Sequence, residues 1–105
     1  MFRIEKKKWL SEKICLMEIK AEALARSAKP GQFLIVKIDE KGERIPLTIC
    51  DYNRKEGTIT IVFFAIGKST EEMGKLNEGD FFQDVAGPLG QESEFLHENI
   101  EDLKN

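Results

Sequence analysis

Residues 44–50 read Arg44-Ile45-Pro46-Leu47-Thr48-Ile49-Cys50. The stretch is apolar and β-branched, yet it carries a guanidinium, a proline and a hydroxyl within five residues. Proline has no backbone donor, so inside a sheet it belongs at an edge, a strand start or a bulge. Such a place lets a flat ligand meet the backbone. Arg44 can offer a planar fork to a phosphate, and the Thr48 hydroxyl can meet a ring heteroatom. A strand with a proline at its mouth and an arginine at its rim accounts for the same residues. The rest of the chain decides between the two.

Working outward, strand signals flank this stretch on both sides. Gln32–Ile38 is apolar and β-branched, opened by Pro30-Gly31 and closed by the hairpin loop Asp39-Glu40-Lys41-Gly42. Thr58–Ala65 follows a second hairpin connection, Tyr52–Gly57. Lys13–Lys20 alternates, with Cys15, Met17 and Ile19 on one side and Ile14, Leu16 and Glu18 on the other. Phe2 and Ile4 mark a short first strand, Lys6-Lys7-Lys8 its solvated end, and Trp9-Leu10 a lid on one end of the core. Ala21–Ala28 is a helical turn or ordered loop ended by Pro30-Gly31.

After Ala65 the period changes. Ser69–Leu76 predicts a short helix, with Ser69 and Glu72 at capping-box spacing. Phe81–Ala86 is a last strand, stopped by Gly87-Pro88-Leu89-Gly90. Gln91–Asn105 is an acidic tail, with a weak helix over Glu94–Leu103. Six short strands and one late helix predict an all-β, antiparallel barrel or sandwich. A closed barrel is favoured because it leaves no long edge to protect.

The 105 residues suffice for one core. Sixteen basic and 19 acidic residues are interspersed, giving a net charge of −3, which argues against nucleic acid as the main partner. No apolar run approaches the roughly 18 residues that cross a bilayer. The charged N-terminus precedes no apolar signal region, so a cytoplasmic location without membrane contact is expected. Cys15 and Cys50 lie far apart in apolar segments and read as buried thiols. With His97, in the polar tail, they make no metal site, and no nucleophile–base grouping is visible. No catalytic residue is assigned, so any redox chemistry would need a bound organic cofactor.

Gly67-Lys68-Ser69-Thr70 sits where a strand runs into a helix start. Backbone N–H groups, the Lys68 charge and two hydroxyls suit an anion, although a plain capped helix has the same residues. The first glycine and spacing of a Walker loop are missing.

Four pieces in order carry a resemblance: Pro30-Gly31-Gln32-Phe33, Arg44-Ile45-Pro46-Leu47-Thr48, Ile66-Gly67-Lys68-Ser69-Thr70 and Gly87-Pro88-Leu89-Gly90. Over about residues 10 to 90 the chain resembles the FAD-binding barrel of the ferredoxin–NADP reductase superfamily. It is most similar to the electron-transfer subunits of dihydroorotate dehydrogenase and to the small subunit of NADH-dependent ferredoxin–NADP oxidoreductase (sulfide dehydrogenase). The resemblance implies a six-stranded antiparallel Greek-key β-barrel with one short helix before the last strand, spanning residues 1–90. It implies FAD as cofactor. Arg44 would bind the pyrophosphate, and Pro46, Leu47 and Thr48 would line the isoalloxazine. Phe63 and Phe64 would fall where the ribityl and ring are supported, one of them pointing inward. Ile66, Gly67, Lys68, Ser69 and Thr70 would form the phosphate loop.

The implied partners are a larger catalytic oxidoreductase subunit and an iron–sulfur electron carrier. NAD(P)H would act only through a further domain, and a homodimer stays open. The family's nicotinamide domain and [2Fe–2S] cysteines have no counterpart in this sequence. An isolated or truncated flavin domain is therefore expected, incompetent for NAD(P)H oxidation alone. The alternative is a non-catalytic barrel serving as an assembly surface for a larger subunit.

Overall fold

The computed structural model describes residues 2–90. The tail and its expected helix over Glu94–Leu103, and His97, lie outside the described residues. Seven strands and two short helices follow in the order β1 (Phe2–Trp9), β2 (Ile14–Lys20), α1 (Glu22–Ser27), β3 (Phe33–Lys37), β4 (Arg44–Asn53), β5 (Thr58–Phe64), α2 (Lys68–Gly74), β6 (Phe81–Phe82) and β7 (Asp84–Leu89). All pair antiparallel in the sheet order β6-β1-β2-β5-β4-β3-β7. β3, β4 and β5 form a meander, and β2 returns beside β5, which is a Greek key. The outermost strands of that order, β6 and β7, are joined through Gln83 alone. The sheet thus curls into a nearly closed barrel.

The expected six strands are seven because the last one breaks. Phe81–Phe82 pairs with β1, then the chain bends at Gln83 and Asp84–Leu89 pairs with β3. Gln83 keeps its backbone satisfied by donating to the Lys37 carbonyl at 2.8 Å. β7 also runs through Gly87 and Pro88 to Leu89 rather than stopping at Ala86. The helical turn or ordered loop expected over Ala21–Ala28 is a six-residue helix, α1, whose Leu24 and Ala25 are buried.

Strand alternation builds the core. Cys15, Met17 and Ile19 of β2, Leu34 and Val36 of β3, and Ile59 and Ile61 of β5 are all fully buried. Met73 of α2 and Phe82 of β6 complete it. Trp9 and Leu10 do not close an end of this core; they are 42% and 50% exposed. Trp9 packs instead on α2, where Gly74 has room for no side chain beside the indole. Lys7, expected as part of a solvated end, donates its Nζ to the carbonyls of Gly74 at 2.6 Å and Leu76 at 2.7 Å. A cation is thus set against the carbonyl end of α2. These two bonds hold the end of α2 to β1.

Candidate functional site

The site begins with a proline in the wrong place. β4 lies between β5 and β3 in the sheet, yet it contains Pro46. The register explains how. β4 pairs with β3 from Arg44 to Thr48, but with β5 only from Ile49 to Asn53. Ile49 donates to the Gln32 carbonyl at 2.8 Å, so odd-numbered residues of β4 turn their backbone groups toward β3. By alternation Pro46 turns toward β5, where the ladder has parted. Locally, Pro46 is therefore an edge residue, and the lost donor costs no ladder bond.

Side chains alternate on the same strand. Ile45, Leu47 and Ile49 are buried, while Arg44, Pro46, Thr48 and Cys50 are exposed. Of the expected ring-lining residues, Pro46 and Thr48 thus face outward and Leu47 faces the core. On β5, Phe63 is buried and Phe64 is 58% exposed. Ile66, just beyond the strand, is exposed. Cys50 is not a buried thiol: it continues the outward row of Arg44, Pro46 and Thr48, and its sulfur is exposed. Cys15 is buried, and burial raises its thiol pKa against a smaller opposing effect of the Lys7 charge.

The four sequence pieces converge. A cleft of about 290 Å³ is lined by Gly31, Phe33, Pro46, Leu47 and Thr48. Gly31, at φ 90°, follows Pro30 in a turn closed by Gln32 N–H to the Lys29 carbonyl at 3.2 Å. Only glycine adopts that conformation without strain. The Gln32 side chain donates to the Gly90 carbonyl at 3.0 Å, and Phe33 lies opposite Leu89, so the last piece backs the first. The third piece is tied in by Ser69, whose hydroxyl donates to the Glu43 carboxylate at 2.7 Å. A second hollow of about 290 Å³ lies there, lined by Asp39, Lys41, Gly42, Glu43, Lys68, Ser69 and Glu72.

α2 begins one residue earlier than expected, and its cap is not the Ser69–Glu72 pair. Gly67 is the N-cap, and the Thr70 hydroxyl accepts from Gly67 N–H at 3.0 Å and donates to Gly67 C=O at 3.1 Å. Thr70 is therefore occupied in shaping the loop. Lys68 and Ser69 face the second hollow. Arg44 Nη1 stands 3.6 Å from Asp84 Oδ2, with both side chains about half exposed. Glu43 and Asp84 carried no signal in the sequence. Each reaches the site through a pairing between distant elements. Among the described residues no group of three His, Cys, Asp or Glu side chains is arranged to hold a metal, and no helix is long and apolar enough to cross a membrane.

The chain is 42% identical over 91 residues to the dihydroorotate dehydrogenase B (NAD(+)) electron transfer subunit homolog of Thermotoga maritima, covering 87% of this chain and 32% of that protein. It is 39% identical in sequence to a chain from the structure of an NADH-dependent reduced ferredoxin–NADP oxidoreductase studied for flavin-based electron bifurcation. The two superpose with a TM-score of 0.85 over 88% of this chain and 33% of the other. This is a barrel domain of the ferredoxin–NADP reductase type. An uncharacterized protein of the adh 3′ region in Clostridium beijerinckii is 57% identical over 99% of the barrel domain's chain and 35% of its own. The cytochrome b5 reductase domain of Ulva prolifera nitrate reductase shares the fold at 19% identity and a TM-score of 0.67. No family model matches. The barrel domain's chain spans about a third of the length of the curated relatives it matches.

Proposed function

We propose that this chain is the flavin-binding domain of an electron-transfer oxidoreductase, with FAD as the cofactor. The parted β4–β5 seam at Pro46 carries the reading. It places a flat apolar edge, the Thr48 hydroxyl and the Arg44 guanidinium in one row on the outer face of the barrel. The donor set fits the group. Arg44 and Ser69 offer charge-assisted and hydroxyl bonds to a diphosphate, and the exposed Phe64 ring and the Pro46 cleft offer apolar contact to a flat ring. When bound, the flavin supplies hydride acceptance and one-electron release.

The residues of this chain bind and orient. Arg44 meets the diphosphate with its fork, and Lys68 adds a point charge from the neighbouring loop. Thr70 holds Gly67 so that the loop keeps its shape. Pro46 and Thr48 face the ring, while Leu47 and Phe63 support the same strands from the core side. Ile66 extends the apolar surface past Phe64. The acceptor would be an iron–sulfur carrier, and NAD(P)H would act through further parts of a larger assembly, as the names of the relatives suggest.

Visible absorbance of the purified chain, before and after adding FAD and desalting, tests the assignment. A flavin band retained by the wild type and lost in Arg44→Ala, with an unchanged unfolding midpoint, is the expected result. A folded chain that takes up no flavin would favour an assembly surface on the same barrel. Equal loss of folding and binding in Arg44→Ala would remove Arg44 from the site.

A further inference from the structure

Two phosphate-directed side chains of this site, Arg44 and Ser69, are already engaged by carboxylates of the chain itself. The Arg44 guanidinium faces Asp84 at 3.6 Å. The Ser69 hydroxyl donates to Glu43 at 2.7 Å. The two carboxylates come from different places. Asp84 is delivered by register: Arg44 of β4 pairs with Lys37 of β3, which pairs with Asp84 of β7, so the ion pair spans three strands. Glu43 directly precedes β4, and its bond to Ser69 joins the β3–β4 connection to α2.

A carboxylate and a phosphoryl group present the same acceptor, an oxygen carrying partial negative charge, to an arginine or a hydroxyl. We propose that Asp84 and Glu43 occupy the places of two phosphoryl oxygens in the ligand-free chain, and that binding a diphosphate ligand exchanges each carboxylate for a phosphoryl oxygen. The proposal rests on the flavin reading for the identity of the ligand, but its chemistry concerns the diphosphate alone.

The exchange is feasible because the resident contacts are weak. Arg44 and Asp84 are 58% and 49% exposed, and ion pairs in water contribute little net stability. Glu43 is exposed and Ser69 half-buried, and the bond between them lies at the surface. A ligand carrying two negative charges outcompetes a single carboxylate for the same fork. The displaced carboxylates stay close, however, and repel the incoming phosphates. They keep the donors oriented without a ligand and limit affinity once it is bound. Lys37 and Lys68 stand beside them and partly offset the repulsion.

Asp84→Asn and Glu43→Gln keep size and hydrogen bonding but remove the charge. Each should tighten FAD binding about three- to tenfold at low ionic strength, with the gain shrinking as salt screens it. Riboflavin, which has no phosphate, should bind the wild type and both variants equally. Fluorescence titration with FAD and riboflavin, and calorimetric titration with inorganic pyrophosphate, read these outcomes, with unfolding midpoints recorded for each variant. FAD and pyrophosphate both tightened, with riboflavin unchanged, supports the exchange. Unchanged or weaker FAD and pyrophosphate binding overturns it, since the carboxylates would then only orient Arg44 and Ser69. A chain that takes no flavin, but whose variants bind pyrophosphate more tightly, keeps the exchange and discards the flavin. A chain whose variants bind neither FAD nor pyrophosphate more tightly than the wild type loses the exchange, whatever else it binds.

Discussion

Ile49 donates its backbone N–H to the carbonyl of Gln32 at 2.8 Å, and this bond sets the phase of β4. It fixes which residues bond to β3 and which turn away. Leu47, in phase with Ile49, lies opposite Leu34, whereas Pro46 lies opposite Ile35 in a pair that exchanges no backbone bonds. Pro46→Ala should therefore change stability by less than about 1 kcal/mol, mostly through the freer unfolded chain. Leu47→Pro, one residue along, should cost about 3 kcal/mol or more, because it removes a ladder bond and a core side chain together. Urea unfolding of the two variants measures the contrast. Similar midpoints would mean that β4 is not phased in this way.

Phe63 and Phe64 are adjacent and chemically identical, yet they lie on opposite faces. Phe63 is 3% exposed and Phe64 58%. Phe63→Ala should lose about 3–5 kcal/mol of stability, the cost of emptying a packed aromatic site. Phe64→Ala should leave the unfolding midpoint nearly unchanged and weaken flavin retention. Unfolding curves and flavin titration on the same samples separate the two effects. A destabilised Phe64→Ala with normal flavin binding would assign Phe64 to packing instead.

Alternation made much of this legible. Cys15, Met17 and Ile19 announce the inner face of β2, and Pro30-Gly31 announces the turn before β3, because both signals are local. Signals that depend on partner strands were not legible. Cys50 is a different case, since alternation with the exposed Arg44, Pro46 and Thr48 already puts it on the outer face. Nothing near Asp84 points to Arg44, which it meets only because β3 lies between them. The bend at Gln83 follows from β6 and β7 serving opposite edges of the sheet. The cap of α2 was misplaced because Ser69-x-x-Glu72 fits the spacing rule, whereas Gly67 has no side chain to cap with and Thr70 bonds only its backbone. Only the chain's entry angle at Gly67, extended at φ −109° and ψ 168°, decides between them.

Gly57 ends the β4–β5 hairpin at φ +71°, and a Cβ there would come within 2.5 Å of Glu22 Cγ and 3.3 Å of Glu22 Cα. The contact brings the hairpin against the start of α1, where Ala21 N–H also donates to the Gly57 carbonyl at 2.9 Å. Gly57→Ala should lose at least about 1–2 kcal/mol, since an L-residue resists this backbone conformation. Adding Glu22→Ala should recover only part of the loss, because it relieves the Cγ contact but not the backbone. Thermal unfolding of the single and double variants tests this, and full recovery would assign the whole cost to the side-chain contact.

The two thiols should behave as opposites. Cys50 is exposed and should react with a thiol reagent in the native chain, while Cys15 should react only on unfolding. Burial raises the Cys15 pKa above its ordinary 9.0, outweighing the Lys7 charge, which pulls it down. The native state therefore favours the neutral thiol. Its contribution to stability is complete below pH 9.0 and is lost as the pH rises through the raised native value. Other groups also titrate in this range, so the informative quantity is a difference between variants. Above pH 9.0 the unfolding midpoint of the wild type should fall more steeply than that of Cys15→Ala, while Cys50→Ala should track the wild type. Parallel curves for all three would show that the buried thiol does not couple to folding. Rapid labelling of both cysteines in the native chain would place Cys15 outside the core.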